Sequence, residues 1–121
     1  MSRTVAICDD DPDFLFLIKE GIGSLPGFAV IAEASDAAEL ADLVRAEAPD
    51  VVLVDYVLPE VRGDQAVREL RTELPDACLI VISAVVRAVA EPAALAAGAD
   101  GFIEKGRPLA DVLADFRRIT A

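Results

Sequence analysis

Short apolar runs alternate with longer amphipathic stretches along the whole chain. The runs are nearly continuous in apolar residues, which is typical of parallel strands that are buried on both faces of a sheet. Strands that alternate with helices, joined by right-handed crossovers, favour one open sheet with helices on both faces. The sequence therefore predicts a doubly wound α/β fold with a five-stranded parallel sheet. The candidate strands are Thr4–Cys8, Phe28–Ala32, Val51–Val54, Leu79–Ile82 and Gly101–Ile103.

Helix signals lie between these runs. Asp11 stands before a proline, the pattern of a capping carboxylate followed by a first-turn proline. Asp36 and Glu39 have the spacing of a capping box, at the start of the helix-forming stretch Ala37–Ala46. We expect Asp64 to cap a third helix, and Pro108 to open the last one.

The fourth helix is predicted to begin near Glu91. Pro92 lacks a backbone N–H and would break a helix that began soon after Ser83, which leaves Val85–Ala90 as a loop. The valines of this loop either fold back onto the core or form a surface for a partner or a second copy, because exposed apolar patches often mark interfaces. These residues are Val85, Val86 and Val89.

Composition narrows the class of protein. The 121 residues suffice for one domain over 1–121, and 11 Lys and Arg against 22 Asp and Glu give a net charge of −11. Such a charge argues against unaided binding to nucleic acid or to an anionic membrane. No apolar run approaches the roughly 18 residues of a membrane span, and no signal-peptide pattern is present. Because Cys8 and Cys78 lie in apolar runs, we expect a soluble, cytoplasmic protein with two reduced core thiols.

Polar residues end or follow four of the predicted strands. In a doubly wound sheet, ligands bind at the carboxyl ends of the strands, where the strand order reverses. Neighbouring carboxylates repel each other unless a cation joins them, and oxygen ligands suit Mg²⁺. A carboxylate can also accept a phosphoryl group, with an amine and a hydroxyl to contact the phosphoryl oxygens. The residues at this edge are Asp9, Asp10, Asp11, Asp55, Ser83 and Lys105.

Most of these residues also have a purely structural explanation. Asp11 is typical of a helix cap, while Asp9 and Asp10 fit capping or solvation as well as metal binding. Asp55 is harder to explain without a function, because an uncompensated charge directly after the apolar run Val51–Val54 is costly. It is the set of residues at one edge, more than any single one, that indicates a site.

Four segments in order along the chain resemble the response regulator receiver family. Val5–Pro12 is similar to the first strand with its acidic pair, and Asp50–Gly63 to the phosphoacceptor strand with its following Pro and Gly. Ile80–Ala84 is similar to the hydroxyl-bearing strand, and Gly98–Lys105 to the lysine segment with its preceding aromatic. The resemblance is closest to receivers of helix-turn-helix regulators, and it implies a flavodoxin-like fold with strand order 2-1-3-4-5.

The resemblance also implies a metal site and a phosphoacceptor. Asp9 and Asp10 match the acidic pair that binds Mg²⁺, with Asp10 the more direct ligand. Asp55 matches the phosphoacceptor, which is a metal ligand too, and Val57 matches the position whose backbone carbonyl completes the metal site.

Three further residues match the switch that responds to phosphorylation. Ser83 and Lys105 match the hydroxyl and the amine that contact the phosphoryl group. Phe102 matches the aromatic residue whose ring turns inward when the hydroxyl engages the phosphate.

The implied function is a signalling switch that assists only its own phosphotransfer and is not an enzyme with a turnover substrate. A histidine kinase or a histidine phosphotransfer protein would donate the group to Asp55. The face around Val85–Ala90 and Phe102, on the fourth helix, fifth strand and fifth helix, would carry the output to a partner or a second copy. A receiver fold that docks without phosphorylation is the alternative.

Two positions depart from the usual pattern of the family. Val57 and Val85 each stand two residues after a site residue, where polar groups help to place the water that hydrolyses the aspartyl phosphate. We therefore expect slow self-dephosphorylation. On the first helix, Leu15 or Phe16 must lie near solvent beside a buried apolar stripe, and we expect this helix to face the kinase.

Two other classes of site fit less well. The spacing of the first acidic residues matches an EF-hand loop in part, but Phe14 stands where that loop needs Gly and a strand precedes it. A phosphatase with an aspartyl nucleophile would need a second Asp two residues after Asp55, where the chain has Val57.

Overall fold

Five parallel strands alternate with five helices in residues 2–121, the part of the chain that the computed structural model describes. The strand order is β2-β1-β3-β4-β5, and all neighbouring strands are parallel. The predicted doubly wound sheet and its order are confirmed. The strands are β1 Arg3–Cys8, β2 Phe28–Ala34, β3 Val51–Asp55, β4 Cys78–Ser83 and β5 Gly101–Glu104. The helices are α1 Pro12–Gly23, α2 Ala37–Glu47, α3 Gly63–Glu73, α4 Arg87–Ala97 and α5 Leu109–Thr120.

The sheet separates two apolar layers. Helices α2, α3 and α4 pack on one face, whereas α1 and α5 pack on the other. Every residue of β3 is buried, and its side chains alternate between the two layers, with Val52 on the first face and Leu53 on the second. This double burial explains the continuous apolar run in the sequence. Strand β2, at the edge of the sheet, is only partly buried.

Two predicted helix caps are confirmed. The Asp11 side chain accepts hydrogen bonds from Asp13 N and Phe14 N at the start of α1. Asp36 Oδ1 accepts from Glu39 N at 2.8 Å at the start of α2. The Glu39 side chain bonds back to the N–H of the residue before Asp36, so the capping box is one residue wider than its usual form.

The predicted cap of α3 is wrong. The helix begins at Gly63, its capping position is Arg62, and Asp64 lies buried inside the first turn. Asp64 forms two hydrogen bonds with the Arg62 side chain, each of 3.1 Å. At Gly63 the helix passes so close to β3 that a Cβ there would lie 2.3 Å from the Asp55 carbonyl oxygen.

The predicted start of α4 is wrong as well. The helix begins at Arg87, so the loop ends at Val86 and Pro92 lies inside the helix. Proline in a helix interior costs about 3 kcal/mol. Burial of Ala90 and Ala94 against the core offsets this cost, and Pro92 itself lies on the exposed side, where water can satisfy the carbonyl freed four residues earlier.

The valines before and within α4 divide between the core and the surface. Val85 is half-buried and packs against the core, whereas Val86 and Val89 are 68% and 61% exposed. On α1, Ile18 and Ile22 are buried and Phe16 is exposed, as predicted. None of the helices in residues 2–121 has the length and apolar character needed to cross a bilayer.

Candidate functional site

The predicted site residues lie at the carboxyl edge of the sheet, on four adjacent strands. Asp9 directly follows β1, and its N–H bonds to the Ala34 carbonyl at 3.0 Å. Asp55 is the last residue of β3 and Ser83 the last residue of β4. Lys105 follows β5. Because the parallel registers align these strand ends, four residues far apart in sequence meet at one edge.

The Lys105 ammonium is the centre of this cluster. Its Nζ lies 2.6 Å from Asp9 Oδ2 and 2.9 Å from Asp55 Oδ2, and its side chain is only 14% exposed. Burial works to lower the pKa of Lys105, but the hydrogen bonds and charges of Asp9 and Asp55 outweigh it and raise the pKa. The amine therefore stays protonated and ties two carboxylates together.

Three carboxylates converge at the same point. Oxygen atoms of Asp9, Asp10 and Asp55 lie within 4.8 Å of one another. Asp9 is buried, and burial raises the pKa of its carboxyl group even though Lys105 and the Asp11 N–H act in the opposite direction. Among residues 2–121, the partner of the buried Asp9 Oδ2 is the Lys105 ammonium. Three carboxylates that converge on one point, with one ammonium beside them, are a donor set that suits a hard divalent cation such as Mg²⁺.

The loop after β3 holds Asp55 in position. Asp55 Oδ1 accepts a hydrogen bond from Val57 N at 3.1 Å. Tyr56 N donates to the Ile82 carbonyl at 2.9 Å, and Gly63 N to the Tyr56 carbonyl at 2.6 Å. Since both sides of the loop are bonded to the sheet or to α3, the carboxylate has a defined orientation, with Oδ2 toward Lys105.

Comparison with known proteins identifies the family. The family model of the response regulator receiver domain matches residues 5–117. The chain belongs to this family. It is thus a receiver domain of the two-component response regulators, a class that functions in signal transduction, and its members are in general phosphorylated and bind Mg²⁺ at an acidic pocket.

Curated relatives and solved structures agree with the family. Chemotaxis protein CheY of Thermotoga maritima is 32% identical, with 87% of each chain covered. Protein-glutamate methylesterase/protein-glutamine glutaminase 4 of Myxococcus xanthus is 31% identical over 95% of this chain and 33% of the relative. A LuxR-family two-component response regulator from Aurantimonas has a TM-score of 0.91 and 29% identity, covering 98% of this chain and 85% of that one. The chain spans about half the length of several other relatives.

The Ser83 hydroxyl lies at the same edge, but within residues 2–121 it forms no hydrogen bond with the carboxylates or the ammonium of the cluster. Ser83 is fully buried, and its Oγ accepts a hydrogen bond from Val85 N at 2.9 Å. Its carbonyl accepts from Lys105 N at 2.8 Å, which joins the ends of β4 and β5. The sequence correctly placed Ser83 at this edge, but the bond to Val85 was not predicted.

Phe102 points into the core of the receiver domain. Its ring is 3% exposed and belongs to the apolar layer under α2, α3 and α4. The Arg87 guanidinium lies 5.0 Å from the ring centre. Sequence reasoning missed Arg87 because α4 was expected to begin later. An earlier start would have revealed Arg87 and Glu91 as a pair four residues apart, and they form an ion pair of 2.6 Å.

Phe14 is the second residue that sequence reasoning missed at this site. The Lys105 Nζ lies over its ring, 4.4 Å from the ring centre. No sequence signal joins the two residues, since 90 residues separate them along the chain. The contact arises from the way that α1 packs beside the carboxyl ends of the strands.

Proposed function

We propose that this receiver domain is a phosphorylation switch that accepts a phosphoryl group on Asp55 from a histidine kinase or a histidine phosphotransfer protein. The observation that carries the proposal is the contact of one ammonium, that of Lys105, with both Asp9 and Asp55. This arrangement brings the Asp55 carboxylate beside a positive charge and beside Asp9 and Asp10, two carboxylates that could hold a metal ion.

The transfer requires little from the protein beyond orientation and charge. An oxygen of Asp55 attacks the phosphorus of a phosphohistidine, an O–P bond forms, the N–P bond breaks, and the imidazole leaves with the electron pair. The bond from Val57 N orients Asp55, and Lys105 stabilises the negative oxygens of the moving group. Asp9, Asp10, Asp55 and the Val57 carbonyl would hold Mg²⁺, which when bound neutralises the charge that develops during transfer.

We infer that the hydroxyl of Ser83 responds to the modification. In this structure it accepts a hydrogen bond from Val85 N, just before α4. If Ser83 turns to donate to a phosphoryl oxygen on Asp55, the position of the Val85 backbone changes with it. The output face would therefore begin at Val85–Ala90 and extend to Phe102, and it would meet a partner or a second copy of the chain. We expect no direct contact between this domain and nucleic acid, because its net charge of −11 would be repelled by the phosphate backbone.

The first helix is the proposed side for the phosphodonor. Phe16 and Leu17 are 65% and 47% exposed on α1, next to the edge that carries Asp55. Apolar side chains of this size on an exposed helix are available to a partner protein. Replacing Phe16 with Ser should slow transfer from the kinase without changing the uptake of phosphate from a small donor. Equal transfer from the kinase to both proteins would remove this helix from the interface.

Intact mass spectrometry tests the switch directly. The protein would be incubated with Mg²⁺ and acetyl phosphate, beside an Asp55→Asn variant that keeps the size of the side chain but cannot form an acyl phosphate. One added phosphoryl group in the native protein, absent from the variant, is the expected result. No addition with excess metal and several small donors would contradict the proposal and favour a receiver fold that docks without phosphorylation.

A further inference from the structure

We propose that Phe14 is a positioning residue for Lys105 and that its ring face holds the ammonium at the point where it meets the phosphoryl group. The inference rests on the proposed role of Lys105 in phosphoryl transfer. Lys105 Nζ lies over the Phe14 ring at 4.4 Å from its centre. A lysine ammonium within about 6 Å of an aromatic centre is attracted by the negative face of the ring.

The position of the ring is fixed from two directions. Phe14 is in the first turn of α1, where its own N–H is bonded to the Asp11 side chain. The ring is half-buried and packs against the apolar layer shared by α1 and α5. Lys105 reaches the ring from the end of β5, so the contact joins the first helix to the last strand across the mouth of the site. A ring that is anchored in this way limits the positions open to a flexible lysine side chain.

The negative charge of the site explains why an uncharged aromatic ring is suited to hold Lys105. Asp9, Asp10 and Asp55 already bring three carboxylates to one point, against the single ammonium of Lys105. A further carboxylate to hold the lysine would repel an incoming phosphoryl group. The Phe14 ring attracts the ammonium without adding a net charge, so it positions the lysine without adding another negative group that would repel the phosphoryl group.

The contact between Lys105 and Phe14 would also persist after the phosphoryl group has been transferred to Asp55. Once an oxygen of Asp55 carries the phosphoryl group, its ion pair with Lys105 must change. The attraction of the ammonium to Phe14 does not depend on that oxygen. Phe14 would therefore hold Lys105 within reach of the phosphoryl oxygens both before and after the group arrives.

Lysine-selective NMR tests the contact without any phosphorylation. The chain has two lysines, Lys105 and Lys19, and Lys19 pairs with Glu33 on the exposed side of α1, which makes it an internal reference. In protein labelled with ¹³C-lysine, the ring current of Phe14 should shift the ε-methylene protons of Lys105 upfield of those of Lys19. The shift should vanish in Phe14→Leu and return in Phe14→Tyr. A Lys105 signal that is unshifted in the native protein, or unchanged in Phe14→Leu, would overturn the proposal.

Fluorination of the ring tests its effect on transfer. Site-specific incorporation of mono-, di- and trifluorophenylalanine at position 14 weakens the negative face of the ring in steps and nearly conserves its shape. The rate of phosphate uptake from acetyl phosphate should fall stepwise, by about two- to fivefold across the series. The same series at Phe28, a ring at the start of β2 that packs on Phe116, should leave the rate unchanged.

The two measurements separate the failure of this proposal from the failure of the proposed function. A constant rate across the series at position 14 would overturn the positioning role. A native protein that takes up no phosphate would overturn the proposed function, and the lysine spectrum would then decide independently whether the ring holds the ammonium.

Discussion

The guanidinium of Arg87 lies 5.0 Å from the centre of the Phe102 ring, at the first residue of α4. Its Nε is 2.8 Å from a carboxylate oxygen of Glu104 on β5, and its Nη1 is 2.6 Å from Glu91 on α4. Through its contacts with Glu104 and Phe102, which both lie on β5, Arg87 links the start of α4 to the fifth strand. The ring of Phe102 is thereby covered on its outer side.

Loss of Arg87 should therefore loosen this end of the domain. We expect Arg87→Ala to lower the free energy of unfolding by about 1 kcal/mol, mostly through the cation–π contact, because ion pairs that are one-third exposed or more contribute little. Urea denaturation followed by circular dichroism measures the change, and hydrogen exchange should show faster opening of the first turn of α4. Arg68→Ala is the matched control, since Arg68 is exposed and has no ion pair within residues 2–121. A loss in the control as large as in Arg87→Ala would contradict the specific role.

The sheet and the edge that carries the site were open to prediction from the sequence because both depend on local patterns. The apolar run Val51–Val54 marks a doubly buried strand, and a charge directly after it, at Asp55, marks the carboxyl edge. The bounds of α4 could not be predicted in this way, because they depend on contacts between distant segments. Pro92 indicates a helix break locally, yet the packing of Ala90 and Ala94 on the core keeps α4 intact around it.

Contacts between single side chains could not be predicted from the sequence either, because they join segments that are far apart along the chain. The ring of Phe14 and the ammonium of Lys105 come together only when α1 has packed on β1, β2 and α5 at the carboxyl edge of the sheet, and neither residue type signals the other. Asp64 looked like a capping residue because its type is common at that position, but the helix begins one residue earlier, at Gly63, and Asp64 pairs with the Arg62 side chain.

The phosphorylated form should be long-lived because apolar side chains stand near the acceptor. Val57 is 56% exposed at the mouth of the site, and Val85 packs on the core, so neither offers a hydrogen bond to an attacking water. We expect the aspartyl phosphate to persist for longer than minutes after removal of the donor, and Val57→Asn to shorten its lifetime. Intact mass measured at intervals follows the decay. A lifetime of seconds in the native protein would contradict this prediction, and Val86→Asn, outside the site, is the control.

The two cysteines should resist alkylation in the folded protein. Burial, aided by the charge of Asp36, raises the pKa of the Cys8 thiol to about 12, and burial also raises the pKa of Cys78. At pH 8 a thiol with the pKa of Cys8 is ionised in only about one molecule in ten thousand, and the thiolate is the reactive form. Iodoacetamide should therefore leave Cys8 unmodified in the native protein and react slowly with Cys78, which is only half-buried. Both should react fully in urea. Rapid native labelling of Cys8, mapped by peptide mass, would show that β1 opens or that the thiol is not buried.

The approach of α3 to the acceptor strand depends on a residue without a side chain. A Cβ on Gly63 would lie 2.3 Å from the Asp55 carbonyl oxygen and 2.7 Å from Tyr56 Cα, both backbone atoms that cannot turn aside. We expect Gly63→Ala to lower the free energy of unfolding by about 2–3 kcal/mol, since the helix and the strand must move apart. The displacement should also slow phosphate uptake, because it moves the backbone of Asp55 itself.

Gly23 provides the matched control for this substitution. It lies at the end of α1, and a Cβ there would meet nothing within 4 Å. Gly23→Ala should leave stability unchanged or raise it by about 0.4–1 kcal/mol, because the unfolded chain loses conformational freedom. Urea denaturation of the two variants side by side measures the difference. If Gly63→Ala proved as stable as Gly23→Ala, α3 would have to tolerate a wider spacing from β3, and the position of the Asp55 carboxylate would not depend on their close contact.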